Sequence, residues 1–365
     1  MNKICNGCGA IMQNSNPNLP GYTPKLIDAE FCQRCFRIKN YNELPKIVAN
    51  NEDYEGVIDS VIKKNGLIVF VVDIFAFKST FNRKMLEKLE GKDVILVANK
   101  FDLFPKSTKP EYIVDWLSKE CEKFSFKVLS IHVVSSKKGY FIDDLMNIID
   151  IARKNRDVYF VGVANVGKSS LINALLKRFT SKTDDLIAES IIPGTTLNEI
   201  KILFFEDGKY LIDTPGLINE SDILNILLPK SYRKIVPNSE IKAKTYQIYK
   251  SNTIFLAGLA SLSITCDESV SAIVYTSNDL YIHRSKTENR DNLYKEQLGK
   301  LLTPPTLDEV KNLKYKTKTV NLDGLKKKTI WFSGFGFVSI IGKCKVDIKY
   351  IDKSEVYITN AIWWC

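Results

Sequence analysis

Residues 162–169 have the sequence Gly-Val-Ala-Asn-Val-Gly-Lys-Ser, which matches the pattern G-x-x-x-x-G-K-[ST] in full. An apolar run, residues 157–161, precedes this stretch, and a helical pattern, residues 170–177, follows it. Glycines in such a loop let backbone N–H groups point at phosphates, and the helix N-terminus adds positive potential. The stretch predicts a phosphate-binding loop between a strand and a helix, and with it an α/β fold.

Two side chains of this loop have predicted roles: Lys168 reaches the β- and γ-phosphates, and Ser169 holds Mg²⁺. The other predicted nucleotide contacts in the loop are Gly162, Asn165, Val166, Gly167 and Ser170. Downstream, residues 211–216 have the sequence Leu-Ile-Asp-Thr-Pro-Gly, a second apolar strand that ends in the pattern D-x-x-G. We expect Asp213 in the outer shell of the magnesium and the N–H of Gly216 at the γ-phosphate.

A flexible segment, residues 193–196 (Pro-Gly-Thr-Thr), lies between these motifs and supplies hydroxyls for the metal. Thr196 is the favoured ligand and Thr195 the second choice. The predicted catalytic residues are Asn165, Lys168, Thr196 and Gly216.

The base is predicted from residues 99–102, Asn-Lys-Phe-Asp, which follow an apolar strand. Asp102 can accept from N1–H and the exocyclic amine of guanine, a donor pair that adenine lacks. Asn99 is predicted to bond the base and tie loops together, and the stem of Lys100 to cover the ring. A third stretch, Ser135, Ser136 and Lys137, also follows a strand and is similar to the S-A-K loop that contacts guanine O6, with Ser in place of the usual Ala.

Four of the eight cysteines form two pairs at ligand spacing, Cys5 with Cys8 and Cys32 with Cys35. Each two-residue gap allows a tight turn that presents two sulfurs to one ion, and two such turns complete a tetrahedral set. The pairs therefore predict a structural zinc site. A redox dithiol and chance are the alternatives.

The net charge of +10 is concentrated towards the C-terminus. Residues 228–365 carry 22 Lys/Arg against 13 Asp/Glu, which predicts attraction to a polyanion such as RNA or to an acidic membrane face. The alternative is a lysine-rich solvated surface. No apolar stretch is long enough to span a bilayer and no leader is apparent, so the sequence predicts a cytoplasmic protein without a membrane partner.

Short alternating runs after residue 245, among them 253–256, 272–275, 329–332 and 356–358, predict a mostly β domain. A helix is predicted over residues 289–302, stopped by two prolines. Residues 326–328, all lysine, stand beside Trp331 and Phe332, which predicts an RNA platform that combines charge with stacking.

The motifs run in an unusual order, since residues 99–102 and 135–137 come before the phosphate-binding loop. With the cysteine pairs and the basic C-terminal region, this resembles the YqeH family of circularly permuted bacterial ribosome-assembly GTPases. The resemblance also includes residues 71–73 (Val-Val-Asp) and 282–286, while Ala76 departs from the acidic residue that family members tend to carry. It implies a GTPase that binds 16S rRNA or its precursor on the assembling small ribosomal subunit.

The resulting architecture is an α/β P-loop GTPase domain over residues 49–228, circularly permuted, with a mostly parallel sheet and helices on both faces. A zinc-binding domain over residues 1–48 and a basic, mostly β domain over 229–365 flank it. Because the chain leaves the GTPase domain just after D-x-x-G, a γ-phosphate that orders this switch can reposition the attached domain.

Hydrolysis is expected to be slow, because Leu217 stands where many GTPases have a glutamine that orients water. Asn165 is the compensating candidate, since related potassium-activated GTPases use such an asparagine to help coordinate K⁺; the alternative is that it only stabilises the loop. His132 is expected in the core or at an edge, and His283 either at RNA or on an ordinary surface. A GTP-switched signalling module without nucleic acid is the second hypothesis, and a metabolic transferase is third.

Overall fold

The structure is a computed structural model that describes residues 3–5, 11–15, 21–27, 29–33, 36, 51–179, 191–193, 199–217 and 219–361. The chain divides into two compact units. The first unit comprises Met1–Ile74, Thr80–Phe101 and Leu117–Ile218; the second unit comprises Phe75–Ser79, Asp102–Trp116 and Asn219–Cys365. Two short segments from the first third of the chain therefore belong with its C-terminal part, and so do residues 219–228.

The first unit is built on a seven-stranded sheet with the order β3-β2-β1-β4-β7-β6-β5. Its strands are β1 (Leu67–Asp73), β2 (Val94–Asn99), β3 (Ser130–Val133), β4 (Val158–Val161), β5 (Ile191–Pro193), β6 (Ile200–Leu203) and β7 (Tyr210–Asp213). The five strands from β3 to β7 in this order are parallel, whereas β6 runs antiparallel to both of its neighbours. The mixed sheet agrees with the predicted P-loop architecture.

The central strands are continuous apolar runs, and every residue of β1 and β2 is buried. Such runs are typical of parallel strands whose two faces are both covered. In register, Asp73 of β1 lies beside Asn99 of β2, and Phe160 of β4 lies beside Asp213 of β7. The carboxyl ends of these strands therefore meet at one edge of the sheet, where ligands bind in α/β folds.

The helices of the described residues are α1 (Asn51–Lys63), α2 (Phe77–Thr80), α3 (Arg83–Leu89), α4 (Pro110–Lys123), α5 (Ile142–Arg153), α6 (Lys168–Phe179), α7 (Ile223–Ile226), α8 (Pro229–Ile235), α9 (Arg290–Gln297) and α10 (Leu307–Val310). Helix α6 begins inside the phosphate-binding loop and buries an apolar stripe that includes Leu171, Leu175 and Leu176. Helix α3 is capped by Asn82, the residue before its first turn, whose side chain accepts a hydrogen bond from the backbone N–H of Met85. In the part of the chain that the structure describes, no helix has both the length and the apolar character needed to cross a bilayer.

The second unit is a sandwich of two five-stranded antiparallel sheets, ordered β12-β9-β10-β16-β13 and β17-β14-β15-β11-β8. Its strands are β8 (Lys244–Ile248), β9 (Ser251–Leu256), β10 (Ala260–Thr265), β11 (Val270–Thr276), β12 (Ile282–Ser285), β13 (Tyr315–Asp323), β14 (Lys328–Phe332), β15 (Gly336–Ile341), β16 (Lys343–Ile351) and β17 (Val356–Asn360). Both sheets contribute to one core, with Leu262 and Ile348 from the first and Ile330 and Val338 from the second. The predicted C-terminal β domain is thus present, and each of the four predicted runs lies within a strand.

A buried carboxylate holds helices α8 and α10 of this unit together. Glu309 of α10 accepts hydrogen bonds from the backbone N–H of Leu228 at 2.7 Å and from Thr306 at 2.6 Å. The hydroxyl of Ser231 also donates to it, at 2.8 Å. Burial alone would raise the pKa of Glu309, but these hydrogen bonds keep it below its ordinary value.

Two sequence-based expectations for this unit are wrong. The helix predicted over residues 289–302 ends at Gln297, because Gly299 has a left-handed φ of +76° and the backbone N–H groups of residues 300 and 302 both turn back to the carbonyl of Gln297. Trp331 and Phe332 are only 2% and 3% exposed, and Trp331 packs against Phe337, with 4.6 Å between ring centroids. Their rings face the interior, so they cannot serve as an RNA stacking platform.

Candidate nucleotide site

The phosphate-binding loop, residues 162–169, connects the end of β4 to the start of α6. Two of its glycines have positive backbone angles, with φ of +154° at Gly162 and +94° at Gly167. A Cβ atom at Gly162 would lie 2.3 Å from the carbonyl oxygen of Val71, and one at Gly167 would lie 2.4 Å from Nδ2 of Asn99. These distances exclude a side chain at either position, so the loop backbone passes directly against the ends of β1 and β2.

Lys168 is buried inside this loop, with 6% of its surface exposed. Its Nζ donates to the carbonyl oxygens of Gly162 at 2.9 Å and Val163 at 3.2 Å. Burial lowers the pKa of the Lys168 ammonium to about 8, and the Asp213 carboxylate opposes that shift. The group therefore stays mostly protonated at neutral pH, and its charge lies inside the predicted phosphate-binding loop.

Two of the three residues predicted to serve the magnesium lie together. The Ser169 hydroxyl donates to Oδ2 of Asp213 at 2.7 Å, and Asp213 is only 1% exposed at the end of β7. Hydroxyl and carboxylate oxygens are the ligand types that Mg²⁺ prefers. This pair of oxygens fits the ion, with Ser169 able to contact it directly and Asp213 able to hold its water ligands.

The D-x-x-G segment is fastened to the phosphate-binding loop by its backbone. The N–H of Ala164 donates to the carbonyl of Leu217 at 2.8 Å. A Cβ atom at Gly216 would lie 2.7 Å from Cα of Ala164 and 3.0 Å from Nζ of Lys168. Only glycine allows this approach at residue 216, so the backbone of D-x-x-G passes directly against the phosphate-binding loop at Ala164.

Asn99 joins the guanine-recognition stretch to the phosphate-binding loop. Its Nδ2 donates to the carbonyl of Val166 at 2.9 Å and to the hydroxyl of Ser136 at 3.2 Å. Its Oδ1 accepts from the backbone N–H of Ser136 at 3.0 Å. Three segments that lie far apart in the chain are therefore held at one buried side chain, as the sequence analysis expected of this asparagine.

The other residues of the same stretch flank Asn99. Lys100 has a left-handed φ of +72°, and its Nζ donates to Oδ2 of Asp73 at 2.5 Å. Asp102 is half-buried in a short 3₁₀ turn, Phe101–Leu103. The N–H of Phe101 donates to the carbonyl of Val134 at 3.1 Å, which fixes the backbone immediately before Asp102.

The stretch that follows β3 forms a tight turn. Ser135 is buried, Ser136 half-buried and Lys137 exposed. The Ser135 hydroxyl accepts from the backbone N–H of Lys138 at 3.0 Å, and its carbonyl accepts from that of Gly139 at 2.8 Å. Together with the two bonds from Asn99 to Ser136, this turn lies at the same edge of the sheet as the phosphate-binding loop.

The remaining predicted loop contacts differ in exposure. Asn165 has a left-handed φ of +67° and an exposed side chain, while Val166 is fully buried. Ser170 is exposed on the first turn of α6. Thr195 and Thr196 lie outside the described residues, so the switch threonine stays a prediction.

Two of the four predicted zinc ligands are described, and they meet. Cys5 and Cys32 are each 1% exposed, and the backbone N–H of Cys32 lies 3.1 Å from Sγ of Cys5. Cys8 and Cys35 lie outside the described residues. Among the residues that are described, no group of three or more His, Cys, Asp or Glu side chains could hold a metal ion.

The sequence analysis gave no role to Asp73, although its side chain pairs with Lys100. The sequence feature that could have indicated a role for Asp73 is its position as a carboxylate directly after a fully apolar run, residues 67–72. The two histidines stay outside the site. His132 lies in β3 beside Ser130, and burial lowers its pKa although the charge of Asp144 opposes that shift. His283, in β12, stacks on Tyr281, which precedes that strand.

Comparison with known proteins agrees with this site. The family model described as 50S ribosome-binding GTPase matches residues 157–253, and the model described as YqeH-like, C-terminal matches residues 269–362. YqeH of Bacillus subtilis (strain 168) is 36% identical over 98% of this chain and 99% of its own length. NO-associated protein 1 of Arabidopsis thaliana is 29% identical over 92% of this chain and 69% of its own, and GTPase Der of Desulfitobacterium hafniense (strain DSM 10664 / DCB-2) is 26% identical over 84% and 70%.

The match to YqeH extends along nearly the whole of both chains, and the GTPase model covers the phosphate-binding loop and D-x-x-G in one stretch. Membership of such a family implies GTP or GDP and Mg²⁺ as ligands, which agrees with Lys168, Ser169 and Asp213. The chain belongs to the YqeH family and is a GTPase.

Proposed function

We propose that this GTPase is a nucleotide-switched factor that binds 16S rRNA or its precursor in the cytoplasm during assembly of the small ribosomal subunit. The observation that carries the RNA part is a cluster of exposed lysines along one edge of the sandwich in the second unit. Lys316 and Lys318 lie on edge strand β13, and Lys343 and Lys345 lie on its neighbour β16. Lys316 pairs in register with Tyr350, an even-numbered residue of β16, so the lysines of β13 and those of β16 point to opposite faces of the sheet. Lys326 is exposed in the turn that leads from β13 to β14.

These lysines keep part of their charge although aspartates lie beside them, and Asp323 lies opposite Lys343 in register. Lys316 pairs with Asp352 at 3.4 Å and Lys345 with Asp347 at 3.9 Å, and all four side chains remain between 31% and 55% exposed. Ion pairs with this exposure contribute little and can be exchanged for phosphates. Exposed ammonium groups on both faces of this sheet edge suit the extended backbone of a polyanion rather than one small anion.

Any base stacking must use rings other than that of the buried Trp331. Tyr249 is 67% exposed in the β8–β9 turn, and Tyr281 is 40% exposed where it stacks on His283. Such rings can stack on unpaired bases of single-stranded RNA. Charge is therefore the larger part of the proposed interaction.

For the nucleotide we propose the roles assigned from the sequence: Lys168 and Gly216 at the phosphates, Ser169, Thr196 and Asp213 at Mg²⁺, and Asn99, Lys100 and Asp102 at guanine. The turn at residues 135–137 would add a backbone contact to the base. We propose slow turnover, since Leu217 is apolar and offers the water no hydrogen bond. Asn165 would then hold K⁺, whose charge replaces a missing cationic side chain.

The potassium proposal is tested by measuring GTP turnover in KCl and in NaCl at equal ionic strength. Wild-type protein should be faster in KCl, and Asn165→Ala should remove that difference while leaving the slower NaCl rate within about twofold. Equal rates of the wild type in the two salts would overturn it.

We also propose that Cys5, Cys8, Cys32 and Cys35 bind one structural Zn²⁺ in a domain formed by residues 1–48. Deprotonated sulfurs bind zinc tightly in a reducing compartment. Elemental analysis of purified protein should find one zinc per chain, and Cys5→Ser should lose it. A Cys344→Ser control, which alters a buried cysteine of the sandwich, should keep its zinc.

The ribosome proposal is tested by co-sedimentation with 30S subunits in the presence of a GTP analogue, GDP or no nucleotide. We expect binding that depends on the nucleotide and falls steeply with salt, by a slope of about 0.7–0.9 per phosphate contact. A variant with Lys316, Lys318, Lys343 and Lys345 changed to Gln should bind more weakly and with a shallower slope. Changing Lys92 and Lys127, which are exposed on the first unit, is the matched control.

The second hypothesis, a GTP-switched signalling module, predicts a different result in the same assay. The quadruple lysine variant would then bind 30S subunits as the wild type does, or neither would bind. Salt-insensitive, GTP-dependent binding to a protein would favour that function over RNA binding.

A further inference from the structure

Asp73 is a carboxylate without an assigned task at the edge of the nucleotide site. It is the last residue of β1, and only 8% of its side chain is exposed. Its Oδ2 accepts a hydrogen bond from Nζ of Lys100 at 2.5 Å, and Lys100 itself is 27% exposed. A short, mostly desolvated ion pair of this kind restrains a side chain much more than an exposed pair does.

The pairing of β1 with β2 sets up this contact. Asp73 lies directly beside Asn99 in register, so Lys100 is the first residue beyond the paired end of β2. The hydroxyl of Thr80 accepts from the backbone N–H of Asp73 at 3.1 Å, and the N–H of Ile74 donates to the carbonyl of Asn99 at 3.2 Å. The backbone that carries the carboxylate is therefore fixed on both sides.

The backbone of Lys100 is fixed as well. Asn99 before it makes three side-chain hydrogen bonds, and the N–H of Phe101 after it donates to Val134. Lys100 adopts a left-handed φ of +72°, which is uncommon for a residue with a Cβ and directs the chain away from the strand. Its long stem has four rotatable bonds, so its position depends on what holds its ammonium.

We infer that Asp73 is a positioning residue for guanine binding, which acts by holding the Lys100 ammonium so that the aliphatic stem lies flat against the base. This inference rests on the proposed role of Lys100 in covering the ring. Without the carboxylate the stem would rotate freely, and the nucleotide would have to order it on binding. Asp73 therefore contributes to nucleotide affinity without touching the nucleotide.

A double-mutant cycle with Asp73→Asn and Lys100→Met tests this inference. The full-length protein is titrated with fluorescently labelled GDP, and KM and kcat for GTP are measured alongside. Asp73→Asn keeps the shape of the side chain but removes its charge, and should weaken GDP binding and raise KM by about tenfold with kcat within about twofold. In the Lys100→Met background the same change should have almost no effect.

The control variant is Asp59→Asn, which removes another ion pair of the first unit, the 2.6 Å contact with Lys88. It should leave GDP affinity unchanged. If Asp73 were only structural, Asp73→Asn would lower the melting temperature and would weaken GDP binding equally with and without Lys100, which would overturn the inference. The inference would also be overturned if the wild type bound GDP tightly and Asp73→Asn bound it with the same affinity.

The failure of the proposed nucleotide site would look different. In that case Asp102→Asn would not reduce the preference for GDP over ADP, and Lys100→Met alone would not alter GDP affinity. Lys100 then makes no contribution to GDP affinity through which Asp73 could act, and the role of Asp73 is rejected together with that of Lys100.

Discussion

Removal of the Asn99 side chain should separate the guanine-recognition stretch from the phosphate-binding loop. In Asn99→Ala three hydrogen bonds are lost, two donated by Nδ2 to Val166 and Ser136 and one accepted by Oδ1 from Ser136. At about 0.5–1.5 kcal/mol each, the three bonds together amount to about 1.5–4.5 kcal/mol. Because Asn99 is only 1% exposed, water cannot readily replace the lost partners.

Part of this loss lowers the stability of the fold. The rest lowers the binding free energy of the nucleotide, because binding must then bring the two loosened loops together. We expect GDP affinity to fall by about thirtyfold or more, since 1.4 kcal/mol corresponds to a factor of ten. Isothermal titration with GDP measures the affinity, and thermal unfolding without nucleotide measures the stability. The loss of affinity should appear mainly as faster GDP release, because an ordered site releases its ligand slowly.

Asn82→Ala is the matched control, since this asparagine accepts one hydrogen bond, from Met85, at the start of α3. It should cost about 1 kcal/mol of stability and leave GDP affinity unchanged. If Asn99→Ala remained folded and bound GDP as the wild type does, the side chain would not be what connects the two loops, and the reasoning would be refuted.

Three further changes have definite expected outcomes. In Gly216→Ala the new Cβ would lie 2.7 Å from Cα of Ala164, so relief of the overlap should cost about 1–3 kcal/mol of stability. The same shift should slow single-turnover GTP hydrolysis about tenfold or more. An unchanged rate would contradict the close approach. Trp331→Ala should lower the free energy of unfolding by about 3–5 kcal/mol in chemical denaturation, whereas Tyr249→Ala should stay within about 0.5 kcal/mol. The lowered pKa of Glu309 contributes stability that is present above the unfolded pKa of 4.5 and is lost as the pH falls through the folded pKa. Glu309→Gln should therefore flatten the acid side of a plot of unfolding free energy against pH. A plot as steep as that of the wild type would show that this carboxylate makes no contribution.

The motif-bearing strands could be predicted from the sequence because each combines two independent signals. An apolar run indicates a buried strand, and a short polar motif at its end indicates the edge at which a ligand binds. Both signals are present for β2, β4 and β7, and the structure places all three as expected. The contact of Asp73 with Lys100 could not be predicted in this way, since it depends on the register between β1 and β2 rather than on either strand alone.

The position of Trp331 shows where reasoning from neighbouring residues fails. Lys326 and Lys327 are exposed in a turn, but β14 begins at Lys328 and is buried from Thr329 onwards. The strand lies between β17 and β15, and its residues are buried on both faces, including a second contact of Trp331 with Trp116 at 6.0 Å. A change from full exposure to full burial within two residues is common where a turn enters a central strand, so charge beside an aromatic ring in the sequence does not predict that both lie on one surface.

The permuted order of the motifs does not disturb the site, because adjacency in the sheet is independent of order along the chain. The stretch 99–102 comes 60 residues before the phosphate-binding loop begins, yet β2 and β4 are both paired with β1, and the loop passes within contact of Asn99. What permutation changes is the path of the chain beyond D-x-x-G, where residues from Asn219 onwards belong to the second unit. The segment expected to respond to the γ-phosphate is thus continuous along the chain with the unit that carries the lysine-bearing sandwich, which is what a nucleotide-switched binding protein requires.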